Sequence, residues 1–172
     1  KIAIMINANE LISNEELILD RLKKLIPLKA SKSKVDMVRV ACHSESIEDI
    51  LPVFEFIHNQ GYISCCNITQ ISDKTTERLE ELSCLISNSK VDILYFADSL
   101  GSSTPKSIKE IVKAIRKNWK GQLGIHAHNN TGLALSNTLE AIDCGVNWVD
   151  STITGIGRGP GNTLTEELIL EL

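Results

Sequence analysis

The chain has 172 residues, roughly one domain of typical size, and its 42% hydrophobic and 23% charged residues exclude collagen-like sequence and bulk disorder. A net charge of −4 provides no electrostatic attraction for nucleic acid. No stretch approaches the roughly 18 consecutive apolar residues of a membrane span. We therefore expect a cytoplasmic protein without nucleic-acid or membrane partners.

Six short apolar runs, rich in β-branched residues, follow one another along the chain. They are predicted as strands at residues 2–7, 35–41, 62–68, 91–97, 122–128 and 148–153. All but the last are followed by a helical stretch, at a spacing of about 25 to 33 residues, the size of a β-α unit. This alternation predicts a parallel sheet covered by helices, either a wound open sheet or a barrel.

Helix-capping signals fall between the predicted strands. Two pairs, Ser13 with Glu16 and Ser46 with Asp49, have capping-box or near-box spacing. Thr104 followed by Pro105 is an N-cap with proline at the first helical position. Gly61 and Gly145 follow the predicted helices 48–60 and 133–144, where a left-handed C-terminal cap is expected.

Five cysteines make an odd count and contain no C-x-x-C motif. They are Cys42, Cys65, Cys66, Cys84 and Cys144. Cys65 and Cys66 are adjacent on a predicted strand, so their side chains point to opposite faces. We expect reduced, buried thiols rather than a disulfide framework or a zinc site.

Polar side chains follow each predicted strand, at the end where parallel α/β folds carry their chemistry. They are Asn7, Asn9, His43, Asn67, Gln70, Asp98, Ser99, His126, His128, Thr152 and Thr154. Six strand ends that converge on one mouth favour a barrel over the crevice of an open sheet, where only a few strand ends meet.

His126 and His128 are the sharpest feature of the sequence. Residues two apart on a strand share a face, so both imidazoles project the same way from the strand end. Two neutral imidazoles side by side suit a divalent metal, whereas two protonated ones repel each other. The alternative is a pair of histidines hydrogen-bonded within a polar mouth, and the short H-x-H pattern leaves both interpretations open.

A glycine-rich loop, TGIGRGPGN at residues 154–162, follows the last strand. It fails the dinucleotide fingerprint because the third glycine position falls on Pro160. Glycines there permit close approach of the backbone to a ligand, and such loops often hold anions; the alternative is a tight turn without a ligand. Arg158, the only charged residue of the loop, faces either the ligand or solvent.

Together these motifs resemble a known family. The run HAHNNTGL from residue 126, Asn137, the glycine loop ending at Asn162 and Glu166 resemble the C-terminal half of the barrel enzymes called DRE-TIM metallolyases. These include 4-hydroxy-2-oxovalerate aldolase, hydroxymethylglutaryl-CoA lyase, and isopropylmalate and homocitrate synthases. The DSLG run from residue 98, with the following TP, is similar to the family's D-[ST]-x-G segment.

The resemblance also places the chain within the family's TIM (β/α)8 barrel. Counted back from the histidine pair on the seventh strand, the chain corresponds to strands three to eight, an incomplete barrel in one domain over residues 1–172. The family's first-strand D-R-E or R-D-G motif is not found near Lys1. Six strands leave two unpaired edges. We expect a fragment of a longer barrel, or a homo-oligomer or partner that covers the opening.

For activity, the resemblance implies a metal-dependent carbon–carbon lyase, an aldolase that cleaves a 4-hydroxy-2-oxo acid through a pyruvate enolate. The cofactor is a divalent metal, Mn or Mg, with Zn or Co also compatible with such ligands. His126, His128 and Asn162 match metal-ligand positions. The substrate partner is a small 2-oxo acid.

Roles for the other strand-end residues stay open. Asn67, Asp98 and Ser99 are candidates for binding substrate oxygens, with helix capping or solvation of the mouth as the alternative. The family's histidine base follows the absent first-strand Asp, and His43 does not match it, so the general base is unassigned. We interpret His43 as a mouth residue and His58 as a surface residue.

Two further functions are retained. The compact glycine loop favours the aldolase branch over hydroxymethylglutaryl-CoA lyase, but acyl-CoA-condensing synthases of the isopropylmalate or homocitrate type share that loop. A chain without the acidic metal ligand is also compatible with a non-catalytic fragment or a structural partner.

Overall fold

The computed structural model describes residues 1–12 and 17–172. Six parallel strands run through the described part of the chain: β1 Ala3–Asn7, β2 Met37–Cys42, β3 Ile63–Ile68, β4 Ile93–Asp98, β5 Gln122–Ala127 and β6 Trp148–Val149. Helices connect them and follow the last strand: α1 Ala8–Ile12, α2 Ile18–Leu25, α3 Ile47–Asn59, α4 Thr76–Ser87, α5 Pro105–Asn118, α6 Ala134–Asp143 and α7 Thr165–Glu171. None of the helices in these ranges is long and apolar enough to cross a bilayer.

The strands pair in the order β1-β2-β3-β4-β5-β6, and every pairing is parallel. A doubly wound sheet reverses its strand order at a switch point, whereas this sheet advances in one direction throughout. Sequential order with a helix after each strand is the winding of a TIM barrel. The predicted partial barrel is therefore confirmed, with β1 and β6 each paired on one side among the described residues.

The sheet has two different faces. Val38, Val40 and Phe96 are buried under the helices, in the main hydrophobic core. On the inward face, Cys65 and Tyr95 belong to a second, smaller cluster. Alternate residues of each strand supply the two clusters, because side chains alternate across a sheet.

The cysteine predictions are partly confirmed. All five thiols are free, and Cys65 faces the barrel interior while its neighbour Cys66 packs under the helices. Burial raises the pKa of Cys65 to about 12, which makes this thiol unreactive. The expectation of burial is wrong for Cys84, which is exposed, and for Cys144, which is half-buried; both lie on or next to the outer helices.

Strand β6 is shorter than predicted, with two paired residues in place of the six at 148–153. It pairs with β5 through Trp148 and Val149, and no other described strand flanks it. Beyond Val149 the chain no longer pairs with β5, and Thr152 instead forms a parallel bridge with Leu164. The apolar run thus continues beyond the sheet because it packs against the segment that follows the glycine loop.

The helix ends confirm some capping signals and not others. Gly61 and Gly145 both take the left-handed conformation, each with φ of 85°, as predicted for C-terminal caps. Thr104 accepts a hydrogen bond from the Ser107 backbone, and the Ser107 side chain accepts one from Thr104 in return, forming a capping box. Pro105 occupies the first helical position.

The predicted cap at Ser46 with Asp49 is wrong. The Ser46 side chain makes no capping hydrogen bond, because the preceding residues form a 3-10 turn that leads directly into α3. Ser46 therefore has φ of −95° and ψ of −2°, not the extended conformation of an N-cap. The pair Ser13 and Glu16 lies outside the described residues.

This difference predicts unequal effects of two similar substitutions. Thr104→Ala removes the acceptor for a free backbone amide of α5, and we expect it to lower the free energy of unfolding by about 1 kcal/mol. Ser46→Ala removes no capping bond and serves as the matched control. Urea denaturation of both variants measures the difference, and equal losses would contradict the observed capping geometry.

Candidate metal centre

The two histidines lie side by side at the carboxyl end of β5. Their ring centroids are 5.0 Å apart and the ring planes meet at 81°. Gly124, His126 and His128 share one face because residues two apart on a strand point the same way. The predicted juxtaposition of the two imidazoles is therefore present in the structure.

The barrel interior beneath the histidines is filled by an aromatic ring. A Cβ at Gly124 would overlap the ring of Tyr95, so this ring lies directly on the neighbouring strand. The guanidinium of Arg39 lies 3.9 Å from the centre of the same ring, a cation–π contact. Tyr95 is thus held between the backbone of β5 and a charged side chain of β2.

Asp150 connects this interior to His126. Its Oδ2 atom accepts hydrogen bonds from His126 Nδ1 at 2.8 Å and from Arg39 Nη1 at 2.7 Å. Burial alone would raise the pKa of Asp150, but the hydrogen bond from His126 and the charge of Arg39 lower it below its ordinary value. An ionised carboxylate only accepts hydrogen bonds, so His126 carries a proton on Nδ1, and in the neutral ring Nε2 is an acceptor.

Arg39 extends the same network to β3. Its Nη2 atom donates to Asn67 Oδ1 at 3.2 Å, while its Nε atom is buried without a partner in the described structure. Burial together with the nearby charge of Asp150 raises the pKa of the Tyr95 phenol. Arg39, Asn67, Tyr95, His126 and Asp150 thus form one polar network inside an otherwise apolar barrel.

Sequence reasoning did not single out Arg39 or Asp150. Arg39 carries a detectable signal, because it is the only charged residue in the strand MVRVAC and points to the face opposite the outer core. Asp150 lies just beyond the short strand β6, at the position where the other strands carry polar ends. The hydrogen bond between Arg39 and Asp150 cannot be predicted from local sequence, because 111 residues separate them.

Asn162 is brought beside His128 by the glycine loop. The two residues form an antiparallel backbone bridge, and Asn129 N donates to Gly161 O at 2.8 Å. Asn162 Nδ2 donates to Ile156 O at 3.2 Å, but the buried Oδ1 atom has no partner. Burial and the charge of His126 lower the pKa of His128, which favours a neutral ring able to bind a cation.

The glycine loop folds back on itself at close range. A Cβ at Gly161 would overlap the Gly155 carbonyl oxygen, and one at Gly157 would overlap the side chain of Asn162. Thr154 has φ of 57°, and both carboxylate oxygens of Glu166 accept hydrogen bonds from its backbone at 2.9 and 3.1 Å. Glycines are therefore needed here so that the loop backbone can approach Asn162 closely. Binding of an anion by this loop stays a prediction.

The other candidate residues are placed at the ends of β3 and β4. Asp98 is fully buried, and its carboxylate accepts hydrogen bonds from the backbones of Ser102 and Ser103 at 3.3 and 3.0 Å. Ser99 Oγ accepts one from Gln70 N at 3.0 Å. Asn67 is buried against Arg39. Substrate binding by Asn67, Asp98 and Ser99 stays a prediction.

His43 lines a cavity at the barrel mouth, as its interpretation requires. His58 lies at the surface, where its Nδ1 atom is 3.3 Å from Asp92 Oδ2. Among residues 1–12 and 17–172, no group of three or more His, Cys, Asp or Glu side chains is arranged to hold a metal ion. Metal binding by His126, His128 and Asn162 stays a prediction.

Comparison with known proteins identifies the family. The family model described as HMGL-like matches residues 29–172. The chain belongs to the HMGL-like family. The predicted resemblance to the DRE-TIM metallolyases is thereby confirmed.

Individual relatives agree with this assignment. The chain is 32% identical over 143 residues to the 4-hydroxy-2-oxovalerate aldolase of Geobacillus thermodenitrificans, covering 83% of this chain and 42% of the relative. It is 31% identical over 128 residues to a protein of Archaeoglobus fulgidus named as a probable 2-isopropylmalate synthase, covering 74% and 25%. The crystal structure of the N-terminal domain of a proposed aldolase from Bacteroides vulgatus matches with a TM-score of 0.78 and 31% identity, covering 99% of this chain and 55% of that one.

The chain spans less than half the length of the curated aldolases it matches, with 29%, 42% and 40% of the first three covered. The family and the partial barrel are established by the matched region. The reaction, substrate and partners of the whole protein are matters for proposal.

Proposed function

We propose that residues 1–172 form a single partial-barrel domain of a divalent-metal-dependent carbon–carbon lyase, an aldolase that cleaves a 4-hydroxy-2-oxo acid. The observation that carries this proposal is the hydrogen bond between Asp150 and His126, which leaves His126 Nε2 as an acceptor beside a second imidazole. The similarity to curated 4-hydroxy-2-oxovalerate aldolases supports the choice of reaction.

The donors at the strand end fit a divalent cation. His126 offers Nε2, His128 has a lowered pKa that favours its neutral form, and the buried Asn162 Oδ1 lacks any partner. Imidazoles suit Zn or Co, whereas an amide oxygen suits Mn or Mg, so this donor set tolerates all four; from the family resemblance we propose Mn or Mg. When bound, the ion supplies the positive charge that stabilises the enolate of the 2-oxo acid.

The remaining polar residues position these donors. Asp150 holds the Nδ1 proton of His126 and fixes the orientation of its ring, and Arg39 fixes Asp150. We propose that Asn67 and Ser99 bind substrate oxygens at the ends of β3 and β4. Asp98 shapes the turn that carries Ser99, because its carboxylate is occupied by the backbone of that turn.

The open side of the sheet is proposed to be covered in the assembled protein, by further chain or by a second copy. Met5 on the edge strand β1 is 66% exposed, and Ile4 is 37% exposed. In complete parallel α/β sheets both faces are covered. An exposed apolar edge strand of this kind otherwise promotes aggregation.

The proposed reaction is tested with the full-length protein and added Mn²⁺. We expect 4-hydroxy-2-oxopentanoate to be cleaved to pyruvate and acetaldehyde, with pyruvate measured through NADH oxidation by lactate dehydrogenase. His126→Ala should abolish pyruvate formation, because it removes a proposed metal ligand. His58→Ala, which changes a surface histidine outside the site, is the matched control.

The alternative reaction is acyl-CoA condensation, which the similarity to the Archaeoglobus fulgidus protein supports. Release of free CoA from acetyl-CoA and a 2-oxo acid, measured with a thiol reagent, would favour this alternative if no pyruvate forms. Absence of both products would contradict the enzyme proposal and favour a non-catalytic or structural role.

A further inference from the structure

A cavity of about 260 Å³ lies at the barrel mouth, between the ends of the strands and the glycine loop. It is lined by Asn7, Asn9, Ala41, Cys42, His43, Thr69, Gln70, Ser99 and Arg158. Since liquid water occupies about 30 Å³ per molecule, the volume corresponds to about nine water-sized groups. The cavity is thus large enough for a short polar chain.

The charge of the cavity has one sign. Arg158 provides a permanent positive charge, and none of the lining residues is Asp or Glu. Within residues 1–12 and 17–172, no carboxylate forms an ion pair with Arg158. A guanidinium presents two parallel N–H donors, which match the two oxygens of a carboxylate or a phosphate.

Two further side chains have hydrogen-bonding groups left for a ligand. Thr69 Oγ1 donates its single hydrogen to Cys42 O at 3.1 Å, so the bond of 3.1 Å between Thr69 Oγ1 and His43 must be donated by His43 Nδ1. In the neutral ring His43 Nε2 is then an acceptor, available to a hydroxyl or water of the ligand but not a donor to its anionic group. Ser99 Oγ accepts a bond from Gln70 N, so its own hydrogen is available to donate.

The backbone at this cavity is strained. Gln70 has φ of 54° and ψ of 44°, a left-handed conformation that residues other than glycine adopt infrequently. Such strain persists only where the surroundings impose it, and it is concentrated at binding sites. Here it places the Gln70 amide against the Ser99 hydroxyl and the Gln70 side chain on the cavity wall.

Arg158 joins the cavity to the proposed metal centre. Arg158 lines the cavity, and its charge acts on His128. The loop that carries it is fixed to β5 by the bridge between His128 and Asn162. A substrate bound at the histidine pair can therefore extend towards Arg158.

We propose that this cavity binds an anionic group, a carboxylate or a phosphate, on the aldehyde half of the substrate. The inference rests on the proposed aldolase function and narrows its substrate class. The preferred compound is then a 4-hydroxy-2-oxo acid with a second anionic group at its far end, which releases an anionic aldehyde and is cleaved more efficiently than a compound that releases a simple alkyl aldehyde.

Binding is tested first without metal, by calorimetric titration of the full-length protein with glycolate, glycerol 3-phosphate and glycerol. We expect saturable binding of at least one anion and none of glycerol at the same concentrations. The tighter of the two anions distinguishes a carboxylate from a phosphate group. Arg158→Gln should weaken anion binding at least tenfold, whereas Lys113→Gln, an exposed cation on α5, should not. Equal binding by the Arg158→Gln variant, or no anion binding at all, would overturn the inference.

Turnover then separates this inference from the proposed function. With Mn²⁺ present, we expect a higher kcat/KM for 4-hydroxy-2-oxoglutarate, which has a second carboxylate, than for 4-hydroxy-2-oxopentanoate. Arg158→Gln should reduce the ratio of these two values at least tenfold, and Lys113→Gln should leave it unchanged. Anion binding without turnover of either compound contradicts the aldolase proposal and leaves the cavity assignment standing; an unchanged ratio in Arg158→Gln contradicts the cavity assignment alone.

Discussion

Replacing His126 with alanine is expected to weaken Mn²⁺ binding by the full-length protein at least about 100-fold. Groups that only orient a metal ligand contribute about 10- to 100-fold to metal affinity, so removal of a ligand itself costs at least that much. His128→Ala should have a similar effect, because both rings lie on the same face of β5 with centroids 5.0 Å apart. Calorimetric titration of Mn²⁺ measures the affinity.

His58→Ala is the control for this experiment. It removes an imidazole that lies at the surface near Asp92, so Mn²⁺ affinity should stay at the wild-type value. If His126→Ala binds Mn²⁺ as tightly as His58→Ala, the paired histidines serve another purpose, such as hydrogen bonding within the mouth. Circular dichroism of each variant shows whether the fold is retained.

The fold was largely predictable because the sequence features that specify it lie within each short segment and recur along the chain. Each β-α unit has its own apolar run and helix, and alternation alone predicts a parallel sheet. The position of the polar residues, always after a strand, then favoured a barrel. The length of β6 was not predictable, because an apolar run does not reveal that Thr152 pairs with Leu164 across the glycine loop.

The site was predictable to the extent that it depends on short spacing. His126 and His128 are two apart, so strand geometry alone places them together. Asn162 was found only through the family resemblance, because 34 residues separate it from His128 in sequence while the bridge makes them neighbours. The predicted cap at Ser46 was wrong for the opposite reason. The local sequence pattern is present, but the preceding 3-10 turn keeps Ser46 out of the extended conformation that an N-cap needs.

The network around Asp150 required the three-dimensional structure. Arg39 on β2 and Asp150 beyond β6 lie at strands far apart in the sheet order, and they meet because the sheet curves around its own interior. Arg39, Asn67 and Tyr95 come from three successive strands, and Arg39 connects the other two to Asp150. Curvature of the sheet therefore assembles the support for the proposed metal ligand.

Asp150→Asn is expected to lower Mn²⁺ affinity about 10- to 100-fold, although Asp150 is not a proposed metal ligand. Arg39 has only donors, so the oxygen of the new amide turns to Arg39 and its NH₂ group turns to His126 Nδ1. The favoured tautomer of His126 then carries its proton on Nε2, the atom proposed to bind the metal. With Co²⁺ in place of Mn²⁺, the visible absorption spectrum should change because a protonated His126 Nε2 no longer ligates the metal.

The same substitution removes the charge that pairs with Arg39, and we expect the free energy of unfolding to fall by about 3 kcal/mol. A second variant separates this loss of stability from the loss of metal affinity. Arg39→Met combined with Asp150→Leu leaves no unpaired charge in the barrel and no acceptor for the Nδ1 proton of His126, so most of the stability should return while Mn²⁺ affinity stays low. Asp143→Asn, at an exposed position on α6, is the matched control and should change neither quantity. Recovery of metal affinity in the double variant would mean that Asp150 acts through barrel stability and not by fixing the proton of His126.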